Sequence, residues 1–228
     1  IVKFKSATFR TVDVVGLDTL VHVANGIYEN CPDDERHELF KLPGFVNKMM
    51  ENKWLGSKTG QGFYKKVGKE ILTLDLDTLE YRPAKKASFA TLEMTKSIDK
   101  PIDRFKVLVK GKDKAGEFYR KSFAGMFAYV SNRIPEISDE LYKIDDAMKA
   151  GFGWENGPFE IWDAIGVEKG IAIMKSEGLA PADWVNDMLA SGSKSFYTIK
   201  EGATYFYNIP SKAQTKIPGQ DSFIILNN

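Results

Sequence analysis

The sequence predicts a mainly α fold: two related helical units, each carrying a small β-hairpin. Three observations predict it. The chain repeats itself, its apolar residues fall at helical spacing over most of its length, and that spacing breaks at two short stretches. The repeat is carried by the frame Phe-x-x-x-Asp-x-x-Gly. It occurs as Phe9, Asp13 and Gly16 and again as Phe159, Asp163 and Gly166, at an offset of 150. Further on, Phe45-Val46-Asn47-Lys48-Met49-Met50 aligns with Trp184-Val185-Asn186-Asp187-Met188-Leu189 at an offset of 139, and Gly62-Phe63-Tyr64 with Ser195-Phe196-Tyr197 at 133. Three matches in one order, with a shrinking offset, point to duplication of a unit of about a hundred residues. In that frame Phe is expected to be a buried anchor, Asp to cap or hydrogen-bond near a helix start, and Gly to let the chain turn.

The elements follow in order. After Gly16, residues Leu20, Val23, Ala24, Ile27 and Tyr28 keep one helical face. Phe45, Val46, Met49 and Met50 make a short amphipathic helix. Ile102, Phe105, Leu108 and Val109 make another, with Pro101 at its first turn and Gly111 beyond its end. The clearest helix starts near Lys114 and holds its period through Phe118, Phe123, Met126 and Val130 toward Pro135, which must end or kink it. Asp145 reads as the N-cap of a helix over Asp146 to Ala150, stopped by Gly151. The non-helical stretches are Phe63 to Leu72, turning at Gly68, and Phe196 to Tyr207, turning at Glu201-Gly202. A lone hairpin is marginal in water, so each must pack on its helices. Expected boundaries are a first unit over 1–84, a basic helical linker over 85–113, a second unit over 114–208, and a tail over 209–228 leading toward a following domain. The first unit is read as lacking its first helix. The face of Val12, Val15, Leu20 and Val23 is therefore expected to be covered by the 114–134 helix, by the 88–110 segment or by another copy.

Composition narrows the function classes. The 228 residues are 43% hydrophobic and 28% charged, enough apolar content for a core. Net charge is +1, so no global field attracts nucleic acid or a membrane surface. No apolar run reaches the roughly 18–20 residues of a membrane-spanning helix. One cysteine, Cys31, allows no intrachain disulfide and no multi-thiolate zinc site, and fits a reducing, cytoplasmic setting. Charge is uneven locally: residues 85–121 carry 11 Lys/Arg against 5 Asp/Glu, and 139–168 carry 8 Asp/Glu against 2 Lys/Arg. This reads as a solvated linker and complementary packing rather than a phosphate-binding surface.

Candidate chemistry is sparse. Gly56-Ser57-Lys58-Thr59-Gly60-Gln61-Gly62 is not a phosphate loop, because Ser57 separates Gly56 from Lys58 and a hairpin rather than a helix follows. Gly151-Phe152-Gly153 with Gly157 misses the dinucleotide spacing, since Asn156 holds the third position. His22 and His37 have no motif partner for a triad or a metal. The residues alone therefore assign no catalytic, cofactor-binding or metal site. They single out only Phe9, Asp13, Gly16, Phe159, Asp163 and Gly166 as a structural repeat.

The stretches Phe9-Arg10-Thr11-Val12-Asp13-Val14-Val15-Gly16-Leu17-Asp18, Leu55-Gly56-Ser57-Lys58-Thr59-Gly60-Gln61-Gly62-Phe63-Tyr64, Ile144-Asp145-Asp146-Ala147-Met148-Lys149-Ala150-Gly151-Phe152-Gly153 and Gly157-Pro158-Phe159-Glu160-Ile161-Trp162-Asp163 resemble the C-terminal domain of 3-hydroxyacyl-CoA dehydrogenases. The likeness runs over residues 6–207. It implies tandem copies of that domain, as in fused proteins that also carry an enoyl-CoA hydratase domain, here expected downstream. It implies a parent enzyme of fatty-acid β-oxidation that oxidises 3-hydroxyacyl-CoA with NAD. The cofactor and a His–Glu pair would belong to a Rossmann domain outside this chain, so the chain by itself is expected to hold no NAD and to be inactive. Val130-Ser131-Asn132-Arg133 copies the family's Asn-Arg motif superficially, but the 13 residues from Asn132 to Asp145 are too few for the catalytic Asn. The alternative reading is a non-catalytic scaffold or dimerisation module, with a homodimer as one outcome.

Overall fold

The computed structural model describes residues 8–219. Of these, residues 8–87 form one compact unit and residues 88–219 another.

The N-terminal unit opens with α1 (Thr8–Val15) and α2 (Leu17–Asn30). Between them Gly16 adopts φ 112°, a conformation that side chains resist, so the chain breaks one helix and starts the next at a single residue. Then come a 3₁₀ turn (His37–Phe40), α3 (Gly44–Glu51), a second 3₁₀ turn (Ser57–Thr59) and a three-stranded antiparallel sheet of β1 (Tyr64–Val67), β2 (Glu70–Leu74) and β3 (Tyr81–Pro83). Leu17, Val46, Met49, Phe63 and Leu74 make its core.

The C-terminal unit holds α4 (Ala90–Thr95), α5 (Pro101–Leu108), α6 (Lys114–Asn132), α7 (Leu141–Phe152), α8 (Pro158–Ile165), α9 (Val167–Ser176) and α10 (Asp183–Ala190). A sheet of β4 (Tyr197–Lys200), β5 (Ala203–Asn208) and β6 (Ala213–Lys216) follows. Its core is larger, with Phe127, Phe159, Trp162 and Phe196 all fully buried. Phe127 stacks on Trp162 at 4.8 Å and Phe159 meets Phe196 edge-on at 5.0 Å. Aromatic side chains buried this way dominate core energetics, and each such pairing adds about 0.5–1.5 kcal/mol to area burial.

Element by element, α1, α2, α3 and β1 to β3 correspond to α8, α9, α10 and β4 to β6. Gly166 breaks α8 from α9 at φ 101°, as Gly16 does for α1 and α2. Leu17 and Val167 are buried just after those glycines, as are Val46 with Val185 and Met49 with Met188. Phe63 O accepts from Leu74 N–H at 2.9 Å, and Phe196 O from Tyr207 N–H at 2.7 Å. At the third strands, Tyr81 Oη donates to Gly62 O at 2.7 Å where Gln214 Nε2 donates to Ser195 O at 3.3 Å.

Several expectations need correction. The 85–113 segment is not a linker: α4 and α5 lie within the C-terminal unit, and Phe105, Leu108 and Val109 are part of its core. Seven of the eight basic side chains of that stretch are exposed, so the charge count hid the apolar face. The tail does not begin at 209, because β6 pairs with β5 from Ala213↔Asn208 to Lys216↔Tyr205. Both hairpins gain a third strand for the reason a bare hairpin is marginal. The apolar end of the tail, Phe223 to Leu226, lies outside the described residues. Asp145 does not cap its own helix: α7 runs from Leu141 to Phe152 with Asp145 inside it, and Gly153, not Gly151, ends it at φ 64°.

The face of Val12, Val15, Leu20 and Val23 is only partly covered. Val12 packs against the core, but Val15 and Val23 are 56% and 51% exposed. Phe9, expected as a buried anchor, is 44% exposed while Phe159 is 0% exposed. The reason is visible in the C-terminal unit, where α6 lies over α8 and α9 and buries Ile165 and Ile173, the counterparts of Val15 and Val23.

Candidate functional site

The repeat's aspartates sit late in their helices rather than near a helix start, and each latches a sheet. Asp13 accepts from the backbone N–H groups of Phe63 and Tyr64 at 2.8 and 2.9 Å. Asp163 accepts from those of Phe196 and Tyr197, both at 2.8 Å. The first amides of an edge strand need acceptors, and a carboxylate makes the stronger, charge-assisted kind. Each latch lies between a helix and the start of a hairpin, so the repeat positions Phe9, Asp13, Gly16 and Phe159, Asp163, Gly166 organise one local fold in each unit.

In the C-terminal unit a second carboxylate joins the latch. Asp145, with no exposed surface, reaches from α7 to the start of α8 and accepts from Phe159 N–H at 2.9 Å and Glu160 N–H at 3.0 Å. Gly157, at the N-cap position, has no side chain to do this, so the neighbouring helix supplies the cap. Tyr197 Oη donates to Asp145 Oδ2 at 2.9 Å. Glu160 accepts from Gly157 N–H at 2.8 Å and from Lys149 Nζ at 2.9 Å, and Lys149 also pairs with Asp146.

Burial raises the Asp145 carboxyl to about 7, against the hydrogen bonds it accepts; the charge of Glu160 adds to the rise. Asp163 is also raised to about 7, by burial first and by the charges of Asp145 and Glu160 after it. The Tyr197 phenol is pushed up by burial and by Asp145. The network floors a cleft of about 670 Å³ whose walls include Ile102, Lys106, Tyr142 and Thr198. In the N-terminal unit a smaller cleft of about 270 Å³ occupies the same place, with Arg10, Asp13 and Tyr64 where the larger has Glu160, Asp163 and Tyr197.

Chemically, this arrangement spends its donors and acceptors on holding elements together. His22 and His37 both belong to the N-terminal unit; His37 stacks on Tyr28 at 4.1 Å and its ring nitrogen lies 3.1 Å from Cys31 O. Among the described residues no group of three or more His, Cys, Asp or Glu is placed to hold a metal, and no helix is long and apolar enough to cross a membrane. Asn132 is exposed at the end of α6, while its neighbour Ser131 is buried and accepts from Ala182 N–H at 3.0 Å. Lys58, central to the rejected phosphate loop, pairs with Asp18 at 2.5 Å, and this bond lowers the Asp18 carboxyl below its usual value. Sequence reasoning missed Asp145 and Tyr197 as partners; the Tyr64/Tyr197 match in the repeat was the available signal.

The family described as 3-hydroxyacyl-CoA dehydrogenase, C-terminal domain, matches residues 2–66 and 136–205. A probable 3-hydroxyacyl-CoA dehydrogenase of Bacillus subtilis (strain 168) is 45% identical over 203 residues, covering 89% of this chain and 26% of that protein. A putative fatty acid oxidation complex trifunctional enzyme of Rickettsia prowazekii (strain Madrid E) is 25% identical, over 67% of this chain and 20% of its own length. A fatty acid oxidation complex subunit alpha of Psychrobacter cryohalolentis is 26% identical, over 82% of this chain and 24% of its own. The chain thus spans about a quarter of the length of these relatives. With both latches and both breaking glycines placed on the matched segments, the chain belongs to the 3-hydroxyacyl-CoA dehydrogenase C-terminal domain family.

Proposed function

We propose that this chain is the helical C-terminal portion of an NAD-dependent 3-hydroxyacyl-CoA dehydrogenase of fatty-acid β-oxidation, present as tandem copies of one domain. The observation that carries the reading is the 45% identity to a probable dehydrogenase over 89% of the chain. The recurrence of the Asp13 latch as Asp163 supports the tandem arrangement. In this reading the chain supplies a wall of the acyl-CoA cleft. Binding of NAD, removal of the hydroxyl proton and departure of hydride belong to a Rossmann domain elsewhere in a longer, cytoplasmic polypeptide. An enoyl-CoA hydratase domain in the same polypeptide agrees with the trifunctional description of the Rickettsia relative. The reading is tested by incubating the purified chain, and separately the longer polypeptide, with 3-hydroxyacyl-CoA and NAD. NADH should form only with the longer polypeptide, and turnover by the chain alone would contradict the assignment.

A scaffold or dimerisation role is the second reading, and one observation favours it: the exposed apolar stripe of Phe9, Val15, Leu20 and Val23. Such a stripe seldom stays bare. Light scattering on the chain decides between a monomer and a homodimer.

A further inference from the structure

The C-terminal unit gathers more buried negative charge around its latch than the N-terminal unit does around the same device. Tyr197, the first residue of β4, is tied to two aspartates at once. Its backbone N–H donates to Asp163 Oδ2 at 2.8 Å and its hydroxyl to Asp145 Oδ2 at 2.9 Å. One residue of the sheet therefore joins α8 to α7. Asp145 has no exposed surface, and Glu160, whose N–H donates to Asp145, brings a third carboxylate to the cluster. In the N-terminal unit Asp13 latches its hairpin from a cleft shared with Arg10, which holds the place of Glu160 in the repeat. The same latch is flanked by a cation in one unit and by two further acids in the other.

The groups facing this cluster do not balance it. From α7, Lys149 pairs with Glu160 at 2.9 Å and with Asp146 at 3.0 Å, so one cation serves two acids. Tyr142, also on α7, spends its hydroxyl on Glu140. From α5, Asp103 and Lys106 reach the same cleft already paired with each other at 3.0 Å. β5 and the chain beyond β6 bring the uncharged Thr204 and Ile217 to its walls. Among the described residues α6 and α9, which also pack on α8, bring no charged group to the cleft. Like charges sharing a buried site do not all ionise freely. Burial first, and neighbouring carboxylates after it, hold the Asp145 and Asp163 carboxyls up at about 7.

We propose that the Asp145–Tyr197–Asp163 cluster is a proton-operated clamp on the β4–β6 sheet. With a proton on the aspartate pair, the sheet is held against α7 and α8. When both carboxyls ionise, repulsion among Asp145, Asp163 and Glu160 releases Tyr197, and the edge of β4 opens toward the cleft of about 670 Å³. Protonation does not cost the Tyr197 contact, because a neutral Asp145 can donate from Oδ2 to the Tyr197 oxygen along the same 2.9 Å line. Both carboxyls are raised in the closed form, which therefore binds protons more tightly than the open form. The clamp is fully held at low pH and is lost as pH rises through about 7. The N-terminal latch, with Arg10 in place of Glu160, stays closed over the same range.

The test uses the whole chain, with aspartate Cγ chemical shifts and amide hydrogen exchange followed from about pH 5 to pH 8. The Asp145 and Asp163 Cγ resonances should titrate above about pH 6, as a coupled pair. Protection of the Phe196 and Tyr197 amides, corrected for the intrinsic rise of exchange with pH, should fall about tenfold per pH unit and level off near pH 7. Phe63 and Tyr64 should keep theirs. Opening of the sheet alone should leave Phe127, in the core under α6, better protected than the two β4 amides at pH 8. Asp145→Asn should bring the Asp163 midpoint down. If that variant does not fold, Lys149→Met, which removes the cation paired with Glu160, should raise both midpoints instead. Carboxyls already ionised at pH 5, β4 amides that track Phe63 and Tyr64 or equal Phe127 at every pH, or an Asp163 midpoint that neither variant moves, would each overturn the clamp.

Discussion

Replacing Asp145 by Asn separates the charge of the buried network from its shape. The folded C-terminal unit holds the Asp145 carboxyl at about 7, from an ordinary 3.8. A raised acid binds its proton more tightly in the folded state than in the unfolded one. Its contribution is therefore fully present below the unfolded value and is lost as pH rises through 7. Between about pH 5.5 and pH 7, one such carboxyl removes roughly 2 kcal/mol of unfolding free energy. Asp163, raised to about 7 partly by the charge of Asp145, follows the same sign. Stability of this unit should therefore fall toward pH 8, opposite to the usual behaviour of salt-bridged carboxylates. Both histidines of the chain lie in the other unit, so they do not obscure the effect. Asp145→Asn keeps one acceptor for Phe159 N–H but turns an amide donor toward Glu160 N–H and Tyr197. At pH 5.5 this should cost about 1–3 kcal/mol. Toward pH 8 the cost should shrink, because the variant has no charge to bury and no longer raises Asp163. The assay is urea unfolding followed by fluorescence of Trp154, Trp162 and Trp184, in a Trp54→Phe background. Wild-type and variant stabilities that run parallel from pH 5.5 to 8, or a wild type that gains stability over that range, would refute the reasoning.

Matched positions in the two units should respond differently to the same truncation. Ile173→Ala, under α6, should cost about 2–4 kcal/mol, while Val23→Ala, 51% exposed, should stay within about 0.5 kcal/mol; chemical denaturation of each variant checks the pair. Gly170 packs against the Trp162 indole, and an added Cβ would lie 2.1 Å from its Nε1. Gly170→Ala should therefore cost about 1–3 kcal/mol and weaken the Trp162 Nε1–H to Val167 O bond, visible as a changed indole proton shift. At Asp113, backbone hydrogen bonds from Thr91 and Gly116 hold the carboxyl down at about 2. Asp113→Ala should remove the α6 N-cap and destabilise the unit at neutral pH, seen as a lowered melting temperature.

Much of the fold was legible because helical period and breaker residues are local signals. The face of Leu108 and Phe123 and the break at Gly166 need only neighbours in sequence. The Phe9/Phe159 repeat was legible for the same reason, since both copies spell out one helix and one glycine break. What the repeat could not show was the environment: Phe159 is buried because α6 lies over its unit, and Phe9 is exposed because no described helix does the same. Asp145 was misread because Asp before a helical stretch is the ordinary sign of an N-cap. Its real partners, Phe159 and Tyr197, are 14 and 52 residues away and meet it only once α7, α8 and β4 have packed. The 85–113 stretch reads as a linker because its eight lysines and arginines, seven of them exposed, outweigh three buried core residues in a charge count.

The two aspartate latches are one device used twice. Hydrogen exchange at four amides, Phe63, Tyr64, Phe196 and Tyr197, tests this directly when read in wild type, Asp13→Ala and Asp163→Ala. Each substitution should strip protection from the two amides of its own hairpin and leave the other hairpin unchanged, because each carboxylate accepts from its own pair alone. Protection retained at Phe63 and Tyr64 in Asp13→Ala, or at Phe196 and Tyr197 in Asp163→Ala, would contradict the latch and with it the reading of the chain as two copies of one domain.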